Sequence, residues 1–434
     1  MTYREAVHYL LCLGQEVGTV NLGLERVERM LDRLGRPERA FPSIHIAGTN
    51  GKGSTAAMVE AGLRAAGLRT GLYTSPHLVR VNERIRIDGR EISDEEFGAA
   101  FEPVRAAVEG MLAEGTLDHP TFFECVTALA FSRFRQARVD YAVVEVGLGG
   151  RLDATNVLQP RVSVVTPIDF DHESYLGRGA AAISAEKAGI LKPGAPAVFA
   201  RQRPEAAGAL QDRARQLGIP VVYAGWPEGS GGSGAAWDAE QVTHRDGYYC
   251  FVAAGPAGAR LRVELSLAGE HQVVNALAAI ATLNVLGVEA AAIETGLRQT
   301  RWPGRLERVA EQPLVLLDGA HNPGGARALA RYLEQHHRGR RVWLIYSAAR
   351  DKAIDEVAGV LFPLAEHVLL TPLTQPRALS APALLDLVGH HHPRARAVSS
   401  LVEAWKLARA SAAPTDIILV TGSLYLVGEF KALG

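Results

Sequence analysis

The chain has 434 residues, enough for two or three hydrophobic cores, since a single core stops growing at around 250 to 300 residues. Its 46 basic and 47 acidic residues balance, which removes the electrostatic case for nucleic acid or an anionic membrane as partner. Three scattered cysteines without CxxC spacing argue against a disulfide framework or zinc site, and no apolar run reaches about 18 residues, so a soluble cytoplasmic protein is expected.

Near the N-terminus Leu10-Leu11-Cys12-Leu13 is too short for a leader and lacks a cleavage site. Apolar residues at Leu24, Val27, Met30, Leu31 and Leu34 predict a packing helix over Leu22 to Leu34. A short strand then runs into Gly48-Thr49-Asn50-Gly51-Lys52-Gly53-Ser54-Thr55 and a helix over Ala56 to Ala66. Glycines 48, 51 and 53 let backbone N–H groups turn toward a phosphate, Lys52 adds a charge, and the helix offers its positive end. The spacing departs from G-x-x-x-x-G-K-[ST], because the first glycine stands two residues too close and Gly53 separates Lys52 from Ser54.

A second strand, Arg69 to Thr74, ends at Ser75-Pro76, where proline stops helical continuation. Asn82 to Asp118 reads as a charged, Gly-containing connection. Thr121-Phe122-Phe123-Glu124 then opens an apolar helix with a capping-box pattern. The apolar strand Asp140 to Val146 buries Glu145, a costly carboxylate unless a cation such as Arg151 pairs with it. The strand Val162 to Ile168 delivers Asp169-Phe170-Asp171-His172. Open α/β sheets bind ligands at the carboxyl edge, so Ser75, Glu145 and His172 are candidates for one magnesium site beside the phosphates. Magnesium prefers oxygen, which makes His172 the weak member on chemistry alone.

Ala180 to Leu191 reads as a helix carrying Lys187, by default a surface lysine. The βα rhythm lapses over Pro220 to Leu267, with a flexible tract at Pro227 to Ala236 and strand-like runs at Tyr248 to Ala253 and Ala259 to Leu267, a small antiparallel excursion. The helix Glu270 to Leu286 turns Asn275 inward, where an adenine ring would satisfy its amide. After a composition shift at Gly296 to Pro303, strands and helices alternate again to the C-terminus. The expected fold is α/β: an N-terminal P-loop-type ATPase domain, residues 1–295, with a mostly parallel sheet, and a smaller C-terminal Rossmann-like α/β domain, residues 296–434, that closes over the first.

GTNGKGS resembles the phosphate loop of the Mur ligase superfamily, specifically its folylpolyglutamate synthase and dihydrofolate synthase branch. DFDHESYLG, EKAGI and Asp318-Gly319-Ala320-His321-Asn322-Pro323 carry the likeness along the chain. The resemblance implies that His172 ligates a metal and that Lys187 is carbamylated beside a second magnesium. It places Leu22-Gly23-Leu24-Glu25, Thr121 to Glu124 and Leu152-Asp153-Ala154 around a pterin, with the Phe122-Phe123 pair as a flat apolar surface. It assigns Arg305 and Asp318 to ATP, with the loop residues Gly48 to Thr55 and Asn275. His321 and Ser423 go to the incoming amino acid, and Lys52, Lys187, Asp318 and His321 form the catalytic set. Ser347 stands where the family begins its motif with glycine.

The implied reaction is ATP-dependent amide ligation. A pterin carboxylate attacks the γ-phosphorus, and L-glutamate displaces the acyl phosphate, on dihydropteroate or on reduced folates. A folylpolyglutamate synthase without the first activity remains an alternative. A peptidoglycan amino-acid ligase would need a longer nucleotide-sugar domain than residues 1–43 provide, and a regulatory nucleotide module would leave Glu145 and His172 without a role. A monomer with small-molecule substrates is expected.

Overall fold

The structure, a computed structural model, describes residues 1–13, 23–115, 118–177, 179–225, 236–375 and 377–433. Leu22 and most of the tract Pro227 to Ala236 lie outside them. Strands run in chain order as β1 Ser43–Ala47, β2 Thr70–Tyr73, β3 Ile85–Ile87, β4 Arg90–Glu91, β5 Tyr141–Glu145, β6 Val162–Val165, β7 Ala197–Ala200 and β8 Val221–Ala224. They continue as β9 Ala236–Arg245, β10 Tyr248–Ala254, β11 Arg260–Ala268, β12 Glu307–Glu311, β13 Leu314–Leu317, β14 Val342–Tyr346, β15 His367–Leu370, β16 Ala395–Ala397 and β17 Ile417–Thr421.

The first 11 strands form one sheet in the order β11-β10-β9-β8-β7-β6-β1-β5-β2-β3-β4. Its centre is parallel because helical crossovers cover both faces, so β1 is buried at every position and β5 at all but Tyr141. Ile46 pairs with both Glu145 and Val164, which brings the carboxyl ends of three strands to one edge. The antiparallel excursion is no separate unit: β9 pairs in parallel with β8 and carries β10 and β11 onto the same sheet.

The phosphate-loop helix, Lys52–Ala65, is wedged between the helices His271–Val285 and Ala290–Gln299. A Cβ on Gly296 would lie 2.5 Å from the Gly62 backbone, so two glycines allow a backbone-to-backbone crossing. Helix Ala290–Gln299 thus straddles the expected 295/296 division. The segment read as a charged connection holds a 21-residue helix, Asp94–Glu114, capped by Ser93. The last six strands form a second sheet, β12-β13-β17-β14-β15-β16, parallel except for the edge strand β12.

Candidate active site

Gly51, at φ +85°, begins the helix Lys52–Ala65 four residues earlier than periodicity predicts. A Cβ there would meet Asn275 Oδ1 at 2.1 Å. The loop is fastened from below: Thr49 and Asn50 both donate their N–H groups to the Pro167 carbonyl at 3.0 and 3.1 Å, and Thr49 Oγ1 donates to Asp169 O. Two lysines converge on it, Lys52 Nζ donating to Thr49 O at 3.1 Å and Lys187 Nζ to Gly48 O at 2.9 Å. Lys187 is therefore no surface lysine. Burial, reinforced by nearby Lys52, pushes its pKa down to about 7. Asn275 lines the same cavity and donates an amide N–H to Gln272 Oε1 at 2.9 Å.

Ser75 and Glu145 touch, the Ser75 N–H donating to Glu145 Oε2 at 3.2 Å. Burial raises the Glu145 pKa against the pull of Lys52, the Ser75 N–H and Arg305. Arg151 is not its partner and pairs with Glu186 instead. His172 belongs to a different contact group. Its Nε2 lies 3.2 Å from Lys352 Nζ, which also holds Asp171 at 2.7 Å, while its Nδ1 is buried without a partner. All three expected metal residues line one cavity, Ser75 on Glu145 through its backbone N–H and His172 beside Asp171 and Lys352. Oxygen from Ser75 and Glu145 suits magnesium; the unpartnered imidazole nitrogen suits a second ion.

Asp171 and Lys352 are what residue patterns missed. Burial opposes ionisation of Asp171, but the hydrogen bond from His321 and the charge of Lys352 outweigh it and hold the carboxyl well below its usual range. Asn322 adds a bridge between the two sheets, donating to Asn50 Oδ1 at 2.9 Å, and Arg327 pairs with Asp169 at 3.1 Å. Lys352 could have been found from the loop that begins at Ser347. That serine is fully buried and does not fall among the positive-φ residues, so the backbone accepts it in place of glycine.

Gly23, Thr121, Phe123, Glu124, Leu152, Asp153 and Ala154 line the same cavity. Three neighbours do not. Phe122 is buried in the core under the Arg84 guanidinium, Leu24 packs against that core as a helix cap, and Glu25 lines a separate charged groove with Glu28 and Arg29. Glu124 is already engaged, accepting from the Thr121 N–H at 2.7 Å and pairing with Arg26 at 3.0 Å. Asp153 accepts from the Leu148 and Thr155 N–H groups and shapes the loop.

From the second sheet come Arg305, Asp318, His321 and Ser423. Asp318 accepts from the Leu306 and Ala320 N–H groups, both at 2.9 Å, and so ties two turns together beside Arg305. His321 Nδ1 lies 2.8 Å from Gly319 O, which leaves Nε2 facing Asp171 at 3.4 Å. Ser423 caps the final helix. The cavity that all these residues share measures about 1060 Å³ and runs without interruption from the phosphate loop to Phe123.

The family model for the Mur ligase middle domain matches residues 46–283, and that for the Mur ligase, glutamate ligase domain matches residues 304–424. The chain belongs to the Mur ligase family. It is 34% identical over 435 residues to the dihydrofolate synthase/folylpolyglutamate synthase of Bacillus subtilis (strain 168), covering 95% of each chain. Among solved structures it is similar to Mycobacterium tuberculosis folylpolyglutamate synthase complexed with ADP, with a TM-score of 0.90, 34% identity and coverage of 99% and 98%. It is also similar to a bifunctional folylpolyglutamate synthase/dihydrofolate synthase with Mn, AMPPNP and L-glutamate bound, at a TM-score of 0.84 and 33% identity over 100% of this chain and 98% of that one. As a Mur ligase it is an ATP-dependent ligase, and its two sheets are the Mur ligase fold.

Proposed function

We propose that this ligase attaches L-glutamate to dihydropteroate, giving dihydrofolate, and to the γ-carboxylate of reduced folates. The observation that carries the reading is the continuous cavity, with a phosphate cradle at one end, an aromatic wall at the other and second-domain side chains across its mouth. ATP with a divalent cation supplies the activated phosphoryl group. Lys52 and the loop N–H groups position the phosphates, and Ser75 and Glu145 provide the cation's oxygens. Phe123, Leu152 and Ala154 hold the heterocycle, Arg305 and Asp318 hold the nucleotide, and His321 and Ser423 face the amino acid. The Asp171–Lys352 and Asn50–Asn322 contacts exclude water from the acyl phosphate.

ADP release measured with dihydropteroate and with tetrahydrofolate separately tests this. Stimulation by both is expected; stimulation by tetrahydrofolate alone selects a folylpolyglutamate synthase, and stimulation by a UDP-linked sugar alone overturns the folate reading.

Lys187 is the residue to carry a carbamate. Its neutral amine attacks CO2, forming the N–C bond and releasing a proton, and the product turns a cation into an anion beside the phosphate loop. With a pKa of about 7, the neutral fraction falls as pH drops below that value. A ¹³CO2-derived carbamate signal is therefore expected at pH 8 and lost by about pH 5; a signal unchanged in Lys187→Met rules this assignment out. No helix among the described residues is long and apolar enough to cross a membrane, and the proposed setting is a cytoplasmic monomer.

A further inference from the structure

Outside the cavity lining, the second domain gathers Asp355, His390 and His391, with one ligand atom from each inside a 4.8 Å span. It is the one group of three histidine, cysteine or carboxylate side chains among the described residues close enough to share an ion. His391 Nε2 lies 2.8 Å and His390 Nε2 3.6 Å from the same oxygen, Asp355 Oδ1. Ligand atoms each about 2.0 to 2.1 Å from a tetrahedral ion stand about 3.3 Å apart, so these separations bracket what zinc requires.

The pair is also held in place. His392, the third of three successive histidines, is turned inward: its Nε2 meets Ala365 O at 3.0 Å and its Nδ1 accepts from the Arg394 N–H at 3.1 Å. That anchor leaves His390 and His391 on the outside with ring centroids 4.0 Å apart, and His391 lies over Gly359, where a Cβ would come within 3.3 Å of it. An aspartate in the first turn of the helix Ile354–Leu361 serves that helix without any histidine. Two imidazoles directed at its carboxylate need another reason.

We propose that Asp355, His390 and His391 form a zinc-class transition-metal site that joins the first turn of the helix Ile354–Leu361 to the end of the helix Ala381–Val388. Two nitrogens and one oxygen suit Zn²⁺ or Co²⁺ and not Mg²⁺, so the site does not compete for the catalytic ion. Exposure of Asp355 and His390 leaves the remaining coordination positions to water. Asp355 follows Lys352 by three residues, so an ion here fixes the base of the loop that carries Lys352 to Asp171.

The test uses the full chain with saturating Mg²⁺ and ADP, titrated with Zn²⁺ against a chromogenic chelator and, in parallel, with Co²⁺ monitored in the visible. One equivalent of micromolar affinity is expected. Asp355→Asn and the double variant His390→Gln/His391→Gln should weaken it at least about tenfold and abolish the Co²⁺ bands, while their metal-free melting temperature stays that of the parent. The double variant His244→Gln/His336→Gln, altering a second imidazole pair whose ring centroids lie 4.7 Å apart, should leave binding unchanged. Equal zinc affinity and Co²⁺ spectra in parent and site variants, or binding only at millimolar concentration, overturns the proposal.

Discussion

Lys52 and Glu145 each shift the other's proton affinity. Burial lowers the first and raises the second, and their mutual attraction opposes both shifts. Lys52 spends one hydrogen bond on its own loop, leaving two donors for a phosphate. Lys52→Ala is expected to lower kcat by about 10² to 10³-fold, about 3 to 4 kcal/mol of transition-state stabilisation, with little change in melting temperature. Glu145→Ala should lose activity on the same scale and raise the Mg²⁺ concentration needed for half-maximal ADP release. Phe123 lies against Gly147, where a Cβ would sit 2.4 Å from its ring, and its ring centroid is 6.0 Å from that of Tyr73. Phe123→Ala should raise KM for dihydropteroate with the ADP dissociation constant unaltered; equal damage to both contradicts its placement at the pterin end.

The helix Phe122–Ala137 shows how a recognition wall is built from local rules. Thr121 and Glu124 complete a capping box, and the same glutamate holds Arg26 of a distant helix. Thr121→Ala removes the side-chain acceptor for the Glu124 N–H and is expected to cost about 1 kcal/mol, read as a shift in urea midpoint at constant slope. This motif was legible in four letters because capping is a short-range interaction. The orientation of the adjacent phenylalanines was not: Phe122 and Phe123 point to core and cavity respectively, which only tertiary packing decides. The helix Asp94–Glu114 escaped for another reason. Its buried Phe97, Ala100, Phe101, Val104, Ala107, Val108 and Met111 have clear helical spacing, but an acidic first turn and Pro103 disguise it as a charged loop. Motif likeness reached His172 and Lys187, whereas Asp171 and Lys352 depend on two domains meeting.

At the cleft the interdomain contacts are polar, Lys352 to Asp171, Asn322 to Asn50 and Arg327 to Asp169, while Leu78, Tyr248 and Ala268 pack against the second-domain cores away from it. Polar contacts of this kind form and break at small cost, which suits a cleft that must admit three substrates and then shut out water. Lys352→Ala is expected to raise the ratio of ADP released to amide formed, because the activated carboxylate is hydrolysed before the amine arrives. Quantifying both products in one reaction checks it, and a ratio that stays at unity with a lowered rate assigns Lys352 to the chemistry alone.

The uninterrupted passage from the glycine turn to Phe123 also bears on inhibition. The proposed function puts nucleotide and heterocycle in one chamber, so a single compound carrying both heads on a short tether would occupy it without crossing protein. The second head then binds at a high effective concentration, and the tethered compound exceeds either fragment by about 10² to 10⁴-fold if its linker matches the span.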